Sequence, residues 1–226
     1  MTRREAIVAT TLLAGSSLLA STQDSGVIKN KGSKNYDIKP LPKSALTLKG
    51  ISAKVIESHH KNNYSGAVKK LNLLENKIKN FPKEAHPVEF GAYKKEQLIA
   101  LNSKILHELY FENLSANSSV NKSMKQELAY SFGSYEFFEA EFVKTAKSLS
   151  GGSGWVVLLY SKTTDTMVVQ IASDHSDSVV FGVPLLVLDM YEHSYHMDYG
   201  ANAGAYIEAF MKNINWDVVQ QRFENA

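Results

Sequence analysis

The chain contains no cysteine. Disulfides, thiolate metal ligands and a cysteine nucleophile are therefore excluded, and any metal must be held by His, Asp or Glu. An excess of charge of one sign is also missing. The 25 basic and 23 acidic residues are scattered, for a formal net charge of +2, so neither a nucleic-acid surface nor an acidic tail is expected. No apolar run comfortably spans a bilayer, which argues against a stable membrane anchor. Gly151-Gly-Ser-Gly154 leads into strand-type residues, without the Lys-Ser/Thr helix of a phosphate loop. What the chain does have is apolar residues: 44% of its 226 positions are hydrophobic, enough for one large or two small packed units.

Residues 1–21 combine a basic start, a short apolar run rich in small residues and a polar end, the pattern of a signal peptide. Arg3-Arg4 before the apolar run resembles a twin-arginine export signal. The expected location is therefore exported, periplasmic or secreted. Residues 22–40 are polar and read as a linker. Ser52 to Lys79 carries a helical pattern through Val55, Ile56, His59, Val68, Leu71, Leu74 and Ile78, with Ser52 as N-cap. A second pattern runs from Lys94 to Leu114, and Phe81-Pro82 between the two predicts an antiparallel pair. Lys125 to Leu149 holds a further helix with the aromatic stripe Phe132, Tyr135, Phe138 and Phe142, read as core.

The period then changes to that of strands, at Val156–Tyr160, Thr166–Ile171 and Val183–Asp189, before helices return through Tyr206, Ile207, Phe210 and Met211 and again at Trp216–Phe223. The expected fold class is α+β: an N-terminal antiparallel helical hairpin domain over 41–115, then a C-terminal α/β domain over 116–226 with a three-stranded antiparallel sheet.

Candidate chemistry concentrates at Asp189-Met-Tyr-Glu-His193. A carboxylate and an imidazole four residues apart share a face if the segment turns helical there. They are then either a helix cap with an ordinary polar neighbour or half of a metal site. His59 and His107 each sit among the apolar positions of one predicted helix, where a histidine is either a satisfied core residue or a ligand. Two of them on facing helices favour the second reading.

Asp189-Met-Tyr-Glu-His193 resembles the D-x-W-E-H signature of the iron/manganese superoxide dismutase family, with Tyr191 in the tryptophan's place. The stretches Ile51 to His59, Leu71-Asn-Leu-Leu74, His107 to Asn113, Phe132 to Glu136, Gly152-Ser-Gly-Trp155 and Tyr206 to Trp216 extend the similarity from about Leu41 to Ala226. The resemblance implies that His59, His107, Asp189 and His193 are the metal ligands, holding one Fe or Mn ion per subunit. Three neutral imidazoles and a carboxylate suit such an ion. It further implies disproportionation of superoxide to oxygen and hydrogen peroxide. The alternative is a superoxide dismutase-like metal-binding protein with little or no turnover.

Around the ligands the chain departs from the family pattern. The gateway tyrosine falls on Ala67 and a nearby histidine on Asn63, while basic residues near the substrate funnel fall on Asn62 and Ala203. Lys61 or Lys104 could substitute for those charges. The glutamine that usually bonds the metal's solvent ligand falls on Ser103 or, from the loop before the last strand, on His175. His175 is therefore the candidate for that catalytic role, against a plain surface-loop histidine between Asp174 and Asp177. The resemblance also implies a homodimer through Glu192, His193, His196 and Asn63, the last two replacing a tyrosine–histidine pair across the interface.

Overall fold

The computed structural model describes residues 35–84, 86–177 and 182–226. Residues 1–21, expected to be a signal peptide, and most of the 22–40 stretch lie outside the described residues. Its last residues are docked rather than free: Tyr36 N–H donates to Asn72 Oδ1 (2.8 Å), Asn72 Nδ2 donates to Tyr36 O (2.9 Å), and Lys39 N–H donates to the Tyr64 hydroxyl (2.9 Å).

The first predicted helix forms, but in three pieces. Ser52 caps α1 (Ala53–Ser58), its hydroxyl accepting from Val55 N–H. A π-helical segment, His59–Tyr64, follows, and the chain resumes as α2 (Ser65–Lys79). In the π segment Ser65 donates both its N–H and its Oγ–H to His60 O, a contact five residues long. Hydrophobic periodicity carries no sign of this break. The second helix, α3 (Pro87–Glu112), begins seven residues ahead of the expected Lys94, with His86 as cap and Pro87 in the first turn, where a missing N–H costs nothing. Its first turns carry exposed Val88 and Phe90, so no apolar stripe marks them.

The stretch 125–149 gives two helices, α4 (Lys122–Phe132) and α5 (Tyr135–Ser148), rather than one. Gly133 breaks them at φ +87°, a conformation that disfavours any side chain, and Ser134 recaps by accepting from Phe137 N–H. Phe138 and Phe142 are fully buried and Phe132 and Tyr135 pack against the core, as the stripe predicts.

Strands β1 (Trp155–Ser161), β2 (Thr166–Ala172) and β3 (Val183–Asp189) form an antiparallel sheet of order β2-β1-β3. In register, Trp155 lies opposite Asp189. Gly154 brings the backbone in tightly at that end. A Cβ there would meet Ala172 O at 2.7 Å, and Gly154 O accepts from Met190 N–H. A 3-10 turn (Glu192–Ser194), α6 (His196–Tyr199), α7 (Ala203–Met211) and α8 (Trp216–Glu224) complete the chain.

One apolar cluster runs through α1, α3, the sheet and α7, taking in Val55, Tyr110, Leu158, Leu188 and Phe210. A smaller cluster of Leu71, Leu74 and Ala100 zips α2 to α3. Two polar ties fix α3 against β3. The buried Asn113 side chain accepts from Val187 N–H (2.9 Å) and donates to Val187 O (3.2 Å), standing in for a neighbouring strand. Arg222 of α8 donates to Leu185 O, Leu109 O and Glu112. Among the described residues no helix is long and apolar enough to cross a membrane.

Candidate metal centre

The two polar ties bring the end of β3 against the end of α3, and His59, His107, Asp189 and His193 converge there. Their candidate ligand atoms all lie within 4.8 Å of one another. Asp189 Oδ2 is 3.1 Å from His59 Nε2, 3.2 Å from His193 Nε2 and 3.8 Å from His107 Nε2. Bonds of about 2.1 Å to one ion put two ligands about 3 Å apart at a right angle and about 4.2 Å apart when opposite. The separations therefore suit a single ion with small adjustments.

The nitrogens themselves support that fit. Both ring nitrogens of His59, Nε2 of His107 and Nε2 of His175 are buried without a hydrogen-bond partner. Buried polar groups are rarely left so, and a cation shared between the ring nitrogens of His59 and His107 would satisfy an Nε2 of each. The tautomer of His107 is set for ligation: its Nδ1 donates to Ser103 O at 2.6 Å, leaving Nε2 bare. Burial lowers the pKa of His59 and pushes that of His107 down to about 3, so both are neutral when a metal needs their lone pairs.

Asp189 is buried in this cluster. Burial by itself would favour its protonated form, but close contact with the imidazoles of His193 (3.2 Å) and His59 (3.1 Å) outweighs it and holds the carboxyl well below the usual range. Its Oδ1 accepts from Tyr191 N–H (2.8 Å), while its carbonyl accepts from the hydroxyls of Ser194 and Tyr206 (2.9 Å each). Tyr206 in turn meets the Tyr110 hydroxyl at 3.1 Å. His193 follows on the 3-10 turn, so the four-residue spacing works through a tight turn rather than a continuing helix.

His175 is half-buried and packs against the aromatic residues beside the four candidate ligands. Its ring stacks on Tyr191 (centroids 5.1 Å, interplanar 11°) and lies 5.5 Å from Trp155 and 6.0 Å from His107. Ser103, the other glutamine position, places its hydroxyl 3.3 Å from His107 Nδ1. Ala67 and Ala203 are buried, Asn62 bonds Ser58 Oγ, and Asn63 is half-buried. Glu192 and His196 are exposed. Sequence reasoning misses the supporting layer of Tyr110, Trp155 and Tyr206. Their only signal is a bulky aromatic within a matching motif, which packing alone also explains.

Lys104, a candidate steering charge, is engaged elsewhere. Glu108 accepts from Lys104 Nζ (2.8 Å) and the Tyr64 hydroxyl (2.8 Å) and lies 3.1 Å from Lys39 Nζ. Burial opposes ionisation of Glu108, but Lys104, Tyr64 and Lys39 together hold its carboxyl below the usual value. A depressed carboxylate stabilises the fold above its unfolded pKa, and that stability is lost as pH falls through the folded value. Glu108→Gln is therefore expected to lower unfolding free energy by about 2 kcal/mol at pH 7. The difference from wild type should begin to shrink as pH falls past the ordinary carboxylate value of about 4.3 and shrink further as it passes the lower folded value, where Glu108 becomes neutral. Urea unfolding at pH 7 and pH 3.5 measures this, and an equal deficit at both would show that charge is not the cause.

A helix pair and a sheet end that meet at three imidazoles and one carboxylate define the class of mononuclear non-haem metalloproteins. Similarity to known proteins makes the class specific. A family model described as iron/manganese superoxide dismutases, C-terminal domain, matches residues 120–222. A superoxide dismutase (Fe) from Cupriavidus metallidurans is 47% identical over 192 residues, covering 84% of this chain and 98% of that protein. A superoxide dismutase (Mn) from Halobacterium salinarum is 32% identical over 196 residues, covering 84% and 96%. The chain belongs to the iron/manganese superoxide dismutase family.

Proposed function

We propose that this protein disproportionates superoxide to oxygen and hydrogen peroxide, with His59, His107, Asp189 and His193 holding one Fe or Mn ion. The observation that carries this is the convergence of bare, buried imidazole nitrogens on Asp189 Oδ2. When bound, the ion supplies a one-electron couple that superoxide reduces and oxidises in turn. The chain's own residues provide the rest. Asp189 supplies the compensating negative charge, and Ser103 O holds His107 in its ligating tautomer. Tyr110, Phe111 and Trp155 are buried around the ligand rings and keep bulk water from them. His175 is the nearby neutral imidazole able to hydrogen-bond a small oxygen species.

Purified protein assayed for bound Fe and Mn, and for dismutation after loading with each, is expected to bind one ion per chain and to turn over. Full occupancy with negligible activity in both forms would replace the enzyme reading with metal binding alone. Two further features complete the proposal. The 1–21 pattern supports export, which N-terminal sequencing of protein from the extracytoplasmic fraction tests. Exposed Glu192 and His196 beside half-buried His193 and Asn63 support a homodimer. A double-mutant cycle on Asn63 and His196 with no coupling in dimer stability would remove that contact from it.

A further inference from the structure

The aromatic residue between the two C-terminal ligands carries a hydroxyl, and that hydroxyl meets the imidazole of His175. Tyr191 OH lies 3.4 Å from His175 Nδ1, a long contact just beyond the usual hydrogen-bond limit of about 3.2 Å. Both rings are held from several sides. Tyr191 donates its N–H to Asp189 Oδ1, and its carbonyl accepts from Ser194 N–H (3.0 Å) and shares the Ser194 Oγ–H (2.7 Å) with the Asp189 carbonyl. Its ring lies between two imidazoles, stacked on His175 and, at 5.4 Å and 19°, on His193. The His175 loop is tied down as well: its carbonyl accepts from Asn102 Nδ2 (2.8 Å), and Asp177 Oδ2 accepts from Ser173 N–H (2.7 Å).

A neutral imidazole has one N–H and one bare nitrogen, and the partner at one nitrogen decides which is which. Nε2 of His175 is buried without a partner, as is the Nε1–H of Trp155, whose ring packs against it. A phenol is a good donor and a poor acceptor, while a bare imidazole nitrogen is a good acceptor, so the contact favours the Tyr191 proton pointing at Nδ1. The phenol can supply the proton that makes this choice.

We propose that Tyr191 is a positioning residue for His175: its hydroxyl donates to Nδ1 and holds the ring as the Nε2–H tautomer, a fixed donor beside the metal ligands. This rests on the functional reading above only for its use in turnover. The arrangement of the two side chains stands independently of it.

The test is long-range nitrogen NMR of His175 in the full chain loaded with zinc, a diamagnetic ion, so that the readout does not depend on dismutation. Wild type is expected to show a bare, pyridine-type Nδ1 and a protonated Nε2. Tyr191→Phe keeps the stacked ring and removes the hydroxyl. It is expected to move the tautomer ratio about fivefold toward Nδ1–H, the size of one net hydrogen bond. A wild-type spectrum with the proton on Nδ1 overturns the proposal without any variant, and so does an unchanged ratio in Tyr191→Phe. If the tautomers behave as expected while the iron-loaded and manganese-loaded proteins fail to dismutate superoxide, the enzyme reading fails and the positioning role stands. The converse result removes Tyr191 from its role and leaves the enzyme reading intact.

Discussion

Asp189→Asn is expected to abolish dismutation and to strip the purified protein of metal, reducing occupancy to below about a tenth and affinity by more than about 100-fold. Losing a residue that merely supports a ligand already costs about 10- to 100-fold, and Asp189 is the hub on which three imidazoles converge. The substitution is nearly isosteric, so Tyr191 N–H keeps an oxygen acceptor and the 3-10 turn keeps its carbonyl contacts from Ser194 and Tyr206. What disappears is the negative charge that balances the ion within a buried site. Metal analysis by mass spectrometry, alongside circular dichroism to establish that the fold survives, decides the matter. Retention of a full complement of Fe or Mn would show that the four residues are not the ligand set.

Asn113→Leu carries the second large effect, and it acts on the frame of the site. The Asn113 amide pairs with both polar groups of Val187, two residues before Asp189, while its own helix carries His107 six residues earlier. Leucine fills a similar volume and leaves a buried N–H and a buried C=O without partners. At about 1–3 kcal/mol for each orphaned group, the expected loss is about 3 kcal/mol of unfolding free energy, a large share of what a domain of this kind has. The urea midpoint should fall accordingly, and metal should leave faster because the spacing of His107 and Asp189 loosens. Asn225→Ala, at an exposed helix end, serves as control and should change stability by less than about 0.5 kcal/mol. Equal midpoints for the two variants would mean that Asn113 does not hold β3.

The candidate ligands are legible in the sequence because each sits where two signals coincide. His59 and His107 interrupt apolar helix faces, while Asp189 and His193 end an apolar strand within a specific motif. The sheet is legible because β1, β2 and β3 are dense in β-branched and long apolar residues between polar turns, and the observed strands exceed the predicted ones by at most one residue at either end. Two features are not legible. The start of α3 has no buried stripe, since Val88 is 72% exposed, and only the His86-Pro87 cap marks it. His175 cannot be told from a surface histidine by sequence because its burial comes from Trp155 and Tyr191, one distant along the chain and one reached only when β3 returns beside β1.

The π turn at His59–Tyr64 makes chain length there a constrained quantity in its own right. Removing one residue from 61–63 would let the backbone close as ordinary α-helix and so relieve a rare geometry. It would also rotate everything beyond by about 100° and shift it by about 1.5 Å. Leu71 and Leu74 now meet Ala100 while His59 meets Asp189, and both contacts exist only because the extra residue offsets the two halves of the helix. A shortened chain could keep one or the other. Point changes in this stretch act through their own side chains, whereas a single-residue insertion or deletion sets the ligand against the hairpin that carries it.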